Sequence, residues 1–340
     1  MLKRNLINTL VAAIILLLAI TLTAGAQPHA GKGRAFMTDK PMVHDPVMAH
    51  EGGTYYMMST GRGLQMAESA DLKTWKVWGR TPLLTNIPEW TRDSVPGFND
   101  HVWAPDIIRW NGRWWLAYSC STFGKNTSAI GLASTDSLYR LSEDGRNVID
   151  WRDEGPIICS KGGRDNWNAI DPNFVIGEDG MPWLVFGSFW DGIQLVRLDS
   201  SMHIARPSNQ RTIARRKSEG RANPVEAPFI FRHDGWYYLF VSWDYCCRGM
   251  DSTYKVVVGR SRSVAGPYLD DNGTDMADGG GLLVIEGDKH AYEAAGHSAA
   301  YRFGNDDIFI CHGYSIADNG ASVLIQRKIE WTNDGWPAVK

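Results

Sequence analysis

Five stretches of the chain repeat one pattern of apolar and polar positions. Each has an apolar strand, a tight turn rich in Gly, and a second, aromatic strand usually closing on Ser or another small residue. They are DPVMAHEGGTYYMMS from Asp45, APDIIRWNGRWWLAYS from Ala104, DPNFVIGEDGMPWLVFGS from Asp171, APFIFRHDGWYYLFVS from Ala227 and GHSAAYRFGNDDIFICHGY from Gly296. The Pro residues of the first four units are 46, 105, 172 and 228, so the spacings are 59, 67 and 56; the fifth unit begins about 68 residues further on. Each spacing is the length of a four-stranded antiparallel sheet with its loops. Glu51-Gly52-Gly53, Asn111-Gly112, Asp179-Gly180 and Asp234-Gly235 supply hairpin turn chemistry. Beyond residue 26 no useful length of helical periodicity appears. The pattern predicts an all-β chain, a five-bladed β-propeller forming a single domain over residues 27–340. Two β-sandwiches in tandem would need a linker near the middle, but no Pro/Ser-rich stretch lies there and the repeat runs through it. The tail QRKIEWTNDGWPAV is expected to be the strand that closes the ring.

Residues 1–26 break the pattern and read as a secretory signal. Lys3 and Arg4 precede an unbroken apolar run from Leu10 to Ile20, and Ala24-Gly25-Ala26 follows as a small-residue cleavage site. The run is too short for a bilayer span, which takes about 20 residues. Removing the segment takes the formal net charge from −3 to −5. A secreted or periplasmic protein with no membrane partner is expected. With no Lys/Arg cluster against that balance, nucleic acid is excluded as a partner. The five Cys (120, 159, 246, 247 and 311) match no zinc spacing, and a bridge between adjacent Cys246 and Cys247 would be strained. Mostly buried free thiols are expected.

The innermost strands of a propeller run along its central channel, so residues at their starts converge. Asp45, Asp171 and Glu226 stand there in blades one, three and four. An acid beside Pro is also ordinary turn chemistry, but three at matching repeat positions suit glycoside hydrolysis. One carboxyl protonates the leaving oxygen and another activates water or attacks the sugar. A third, by like-charge repulsion, keeps the donor protonated. Trp103, Phe189 and Trp190 lie beside these motifs as candidate sugar platforms, against the alternative that aromatics fill sheet cores. His297 takes the matching place in the fifth blade. No spacing completes a metal cage, and Asp270-Asp271-Asn272-Gly273-Thr274-Asp275 lacks the final acid of a calcium loop.

HDPVMAHEGGTYYMMSTG, HVWAPDI, NAIDPNFVIGEDGMPWLVFGSFWDGIQLVRLD, EAPFIFRHDGWYYLFVSWDYCCRG and GHSAAYRF resemble glycoside hydrolase family 43, and within it the endo-1,5-α-L-arabinanases. The resemblance covers about residues 40–336. It implies a five-bladed propeller, with Asp45 as general base, Glu226 as general acid and Asp171 as the acid that tunes and orients Glu226. It also implies inversion, hence two carboxyls roughly 6.5–9.5 Å apart with water between them. By the same resemblance Trp103, Asn168 and Ser188 line the sugar site. His297 contacts a calcium or sodium ion otherwise held largely by water, although AAGHSAAY departs from the Pro-Gly-His-Asn common among relatives. The implied substrate is arabinan or arabino-oligosaccharides. Exo-acting α-L-arabinofuranosidases and β-xylosidases share the three acids, and a propeller that binds sugars without cleaving them is the reading from another class. Some relatives carry a further C-terminal β domain, which is not expected in a chain ending about 25 residues after its last hairpin.

Overall fold

The computed structural model describes residues 35–79, 81–140, 148–217 and 222–339. The expected signal segment, 1–26, lies outside them. Five antiparallel sheets follow one another along the chain, so the five-bladed propeller is borne out. The inner strands are Val47–Glu51, His101–Trp110, Asn173–Ile176, Val225–His233 and Tyr292–Phe303. Each is followed by Thr54–Ser59, Arg113–Cys120, Pro182–Phe186, Trp236–Trp243 or Asp306–Ser315. The hairpins turn where their dipeptides predict: Gly52-Gly53, Asn111-Gly112 and Asp234-Gly235 all have positive φ, the conformation of a tight turn matched to strand twist. Alternate strand positions bury Tyr56, Trp75, Tyr118, Phe240 and Phe309 between neighbouring sheets.

Two sheets exceed four strands. Phe36–Thr38 adds an outer strand to the first, and Gly61–Arg62 crosses over to pair with His101 and Val102 of the second. The ring is not closed by the tail. Residues 326–339 stay within the fifth sheet, as most of its third strand (Ala321–Trp331) and its outer one (Pro337–Val339). Closure comes from the chain's other side: Val43 N–H donates to Ser322 O (3.2 Å), Leu324 N–H donates to Pro41 O (3.0 Å), and Met42 bridges Val323. The segment before the first blade thus occupies edge positions that the short outer strand of the fifth leaves open.

One backbone feature recurs in all five blades, within the inner strand or two residues before it, and places the chemistry. Asp45, Ala104, Asp171, Ala227 and His297 all have positive φ, between 39° and 56°. Pro follows the first four: after Ala104 and Ala227 its missing N–H leaves no gap because the ladder is interrupted by a bulge, and after Asp45 and Asp171 it precedes the first paired residue of the strand. Such a conformation costs a non-Gly residue on the order of 1–3 kcal/mol and persists only where the surroundings fix it. Here each kinked N–H is held by a side chain of the preceding blade. Ala104 N–H donates to Thr60 Oγ1 (2.8 Å), Asp171 N–H to Ser119 Oγ (3.0 Å) and His297 N–H to Ser242 Oγ (2.8 Å). Ala227 N–H donates to Asp171 Oδ2 (3.1 Å) and Asp45 N–H to His312 Nδ1 (3.1 Å). A buried N–H left unpaired would cost about 1–3 kcal/mol, so these clasps offset the strain. In blades two and four the clasp is the Ser near the end of the second strand, Ser119 or Ser242.

Candidate active site

The kinks turn three carboxyls into one channel mouth. Asp45 and Asp171 occupy the kinked position itself, whereas Glu226 sits one residue earlier, beside kinked Ala227. The three acids are therefore not at one repeat position: Glu226 matches His44, Trp103, Ile170 and Gly296. That offset sets the two kinds of acid apart. Asp171 spends Oδ2 on the N–H of Ala227, so it fixes the backbone that carries Glu226.

All three acids are at least nine-tenths buried, yet their surroundings differ. Asp45 lies among donors: Thr60 Oγ1 reaches Oδ2 (2.5 Å), and Nδ1 of both His44 and His297 reaches Oδ1 (2.9 Å each). Burial alone would push its carboxyl up, but His297 and His44 outweigh it and hold Asp45 well below the usual carboxylate range. Glu226 accepts from Ser188 Oγ (2.8 Å) and from Tyr254, but burial prevails and its pKa is raised, helped by the Asp45 charge. Burial and the charges of Glu226 and Asp45 likewise raise Asp171. The pair Asp171/Glu226 thus retains a proton where Asp45 has lost its own. His297 moves the other way. Burial would lower it, but Asp45, Asp171 and Glu226 raise it to about 9, making it a cation paired with ionised Asp45.

The remaining predicted residues are placed less uniformly. Ser188 meets Glu226 directly. Trp103 is half-buried at the rim, its Nε1–H donating to His101 Nδ1 (2.9 Å). Phe189 and Trp190 form a positive-φ turn on the far side; Phe189 lies 5.9 Å from the Tyr245 ring, and Trp190 is 39% exposed. Asn168 is buried in the wall between blades two and three, where Oδ1 accepts from Ser128 Oγ (2.7 Å). Asp270 is a turn residue, accepting from Asn272 N–H (3.0 Å) and Thr274 N–H (2.8 Å).

Four residues around the acids had been given no role from sequence. His44 and His312 flank Asp45 and stack at 4.0 Å. His312 stands where other blades carry Ser119 or Ser242, so the repeat itself flags it. Tyr254 lies off the repeat; it packs so closely that a Cβ on Gly296 would meet its ring at 2.0 Å. Thr60 directly follows a strand-closing Ser. The cysteines overturn one expectation. Cys246 and Cys247 are joined as an adjacent-residue disulfide at the mouth, while Cys120 and Cys311 are buried thiols and Cys159 is half-buried. The positive φ of Cys247 folds the Tyr245–Arg248 turn so that the two sulfurs meet.

Among the described residues, ligand atoms of His44, Asp45 and His312 converge within 4.8 Å of one another. Hydrogen bonds between them already use Asp45 Oδ1 and His312 Nδ1, so they form a bonded cluster rather than a cage. For a channel cation, the fitting residue is His297. It stands where three buried carboxyls draw positive charge, with Nδ1 on Asp45 and one ring nitrogen left over. A single imidazole nitrogen suits an ion whose shell is mostly water.

Comparison with known proteins agrees with this architecture. An extracellular exo-α-(1→5)-L-arabinofuranosidase of Cellvibrio japonicus is 43% identical over 305 residues, covering 87% of this chain and 86% of its own. An extracellular endo-α-(1→5)-L-arabinanase 1 of Bacillus subtilis is 42% identical over 302 residues, covering 87% of each. The crystal structure of an exo-1,5-α-L-arabinanase from a bovine ruminal metagenomic library superposes with a TM-score of 0.83 at 49% identity, covering 89% of this chain and 98% of that one. The model of glycosyl hydrolases family 43 matches residues 40–337, nearly all of the propeller and every acid at its mouth, and the chain belongs to that family.

Proposed function

We propose that this glycoside hydrolase cleaves the α-1,5-L-arabinofuranosidic bonds of arabinan, by inversion, after export from the cytoplasm. The observation that carries the chemistry is the opposite setting of two buried carboxyls at one mouth, Asp45 below the usual range and Glu226 above it. Such a pair supplies a base and an acid at the same pH. Arabinan as substrate, and the extracellular location, follow the names of the relatives.

In the mechanism, protonated Glu226 gives its proton to the leaving glycosidic oxygen. Ionised Asp45 takes a proton from water attacking the opposite face of the sugar, and a single displacement inverts the anomeric carbon. Asp171 acts through Glu226: it holds the Ala227 N–H, and its nearby carboxyl opposes ionisation of the donor. Trp103, Phe189 and Trp190 offer aromatic faces and Ser188 a hydroxyl to the sugar, while buried Asn168 supports the wall behind it through Ser128. His297 would hold a calcium or sodium ion, which would supply the positive charge that its own ring proton otherwise brings. Exhaustive chelation followed by exchange into sodium-free buffer should then lower activity or melting temperature; no change in either after both steps would mean that His297 works as an imidazolium alone.

Cleavage within the polymer is the first reading of the mode. Release from a chain end is the second, favoured by the exo-acting relatives at 43% and 49% identity. Product analysis over time on debranched arabinan tests both. Mixed-length oligosaccharides early in the reaction, first formed as the inverted anomer, are expected. A monomer or one short product from the start would move the mode to exo. An untouched polymer would overturn the substrate.

A further inference from the structure

The Cys246–Cys247 disulfide lies beside the general base assigned above, and a proton count shows how the two communicate. Four groups surround Tyr314 Oη: Cys247 N–H (2.7 Å), His312 Nε2 (3.3 Å), His44 Nε2 (3.3 Å) and the Ser252 side chain. His312 Nδ1 accepts the N–H of Asp45 (3.1 Å), so the proton of its neutral ring sits on Nε2 and is donated to Tyr314. The Cys247 N–H is a second donor. A phenol oxygen with two donors has its lone pairs filled, so its own proton needs an acceptor. Ser252 Oγ already accepts the Arg248 N–H (3.1 Å), whereas ionised Asp45 can only accept from His44 Nδ1, which leaves His44 Nε2 bare to take the phenol proton. That places the ring proton of His44 on Nδ1, which faces Asp45 Oδ1 at 2.9 Å. The disulfide fixes the backbone of Cys247 in a positive-φ conformation, with its N–H on Tyr314 and its Sγ 3.7 Å from His44 Nε2. Cys246 is half-buried and Cys247 exposed, so the bond is open to solvent.

We propose that the Cys246–Cys247 disulfide and Tyr314 are positioning elements for the general base, holding His44 in the tautomer that donates to Asp45. The inference rests on the assignment of Asp45 as base. With the disulfide reduced, the Cys247 N–H is no longer held on Tyr314, the phenol regains a free lone pair, and His44 loses its single orientation. Sugar binding does not pass through this chain of bonds, so turnover suffers while affinity is kept.

The test is titration of the folded enzyme with tris(2-carboxyethyl)phosphine, which with one water converts the disulfide to two thiols and is itself oxidised to the phosphine oxide. Alkylation and peptide mass then report which cysteines have opened. On debranched arabinan the reduced enzyme should lose about tenfold in kcat, with KM within twofold, since misplacing a reacting group costs turnover. Removing the phosphine and reoxidising should restore it. Cys246→Ser/Cys247→Ser should match the reduced enzyme and ignore the phosphine. Tyr314→Phe should show a similar fall with its disulfide intact, and reduction should then add less than twofold. A readout independent of activity is the downfield Nδ1–H proton resonance of His44, assigned by its loss in His44→Gln; it should be present in the oxidised protein and vanish on reduction. A kcat unchanged within twofold after reduction, or a rise in KM alone, would overturn the proposal. So would a His44 resonance that survives reduction. If the oxidised enzyme leaves arabinan intact, the substrate reading fails, and the resonance still decides the proton relay.

Discussion

Glu226→Gln should leave the propeller folded and lower turnover on arabinan by about 10²–10⁴-fold, the usual worth of general acid assistance. The amide oxygen of Gln can still accept from Ser188 and Tyr254, so the pocket keeps its hydrogen bonds. What it loses is the proton. A substrate that needs none separates this effect from damage: an aryl arabino-oligosaccharide with a strongly acidic leaving phenol should be cleaved by the variant at nearly the wild-type rate. The pH profile gives a second check. Burial raises the Glu226 carboxyl, so its protonated form persists above the usual carboxylate range, and wild-type activity declines as pH rises through that raised value. That basic limb should be absent from the variant's residual activity. If Glu226→Gln cleaves the polymer within tenfold of wild type, the proton comes from another group, and Asp171, raised by the same causes, is the one beside it.

The sequence carries the ring and the acids because both are local matters. A Gly-containing turn and alternating apolar positions specify a hairpin without reference to the rest of the chain, and five such hairpins can bury their faces only against one another. Asp45, Asp171 and Glu226 are legible because a Pro marks each kink in the strand. What each acid meets is not local. His44 reaches Cys247 across 203 positions, and Asp45 reaches His312 across 267. No periodicity reports such pairings. The single-position offset of Glu226 is by contrast written in the sequence, since Pro directly follows Asp45 and Asp171 but stands two residues after Glu226; what the offset does becomes plain only when Asp171 is seen to hold the Ala227 N–H. The tail was misplaced for a related reason. Its alternation shows that it is a strand, but edge pairing is settled by which sheet has an open edge nearby, and for residues 41–43 that is the fifth. The disulfide was unexpected because an extended chain holds adjacent sulfurs apart; the positive φ of Cys247 removes that obstacle.

Asp45→Asn should be at least as damaging as Glu226→Gln, with turnover down by about 10³-fold or more and no recovery on the acidic leaving group. Two arguments converge on this. An amide cannot take the proton of attacking water, and an easier departure does nothing for a step limited by attack. The variant also upsets its own surroundings. Asp45 offers oxygens to Thr60, His44 and His297 at once, whereas Asn presents one oxygen and turns an NH₂ towards donors. Removing the charge further takes away the chief influence that raises His297, so its pKa should drop from about 9. The imidazole Hε1 resonance of His297 would follow that change in a pH titration, independently of activity. In the wild type, activity should be lost only as pH falls through the depressed pKa of Asp45, an acid limb below the usual carboxylate range. Should the acidic leaving group restore Asp45→Asn as it restores Glu226→Gln, attack would not be what Asp45 assists, and the two carboxyls would have to exchange roles. Their opposite surroundings argue against that exchange: an acid held ionised by two imidazoles has no proton to give.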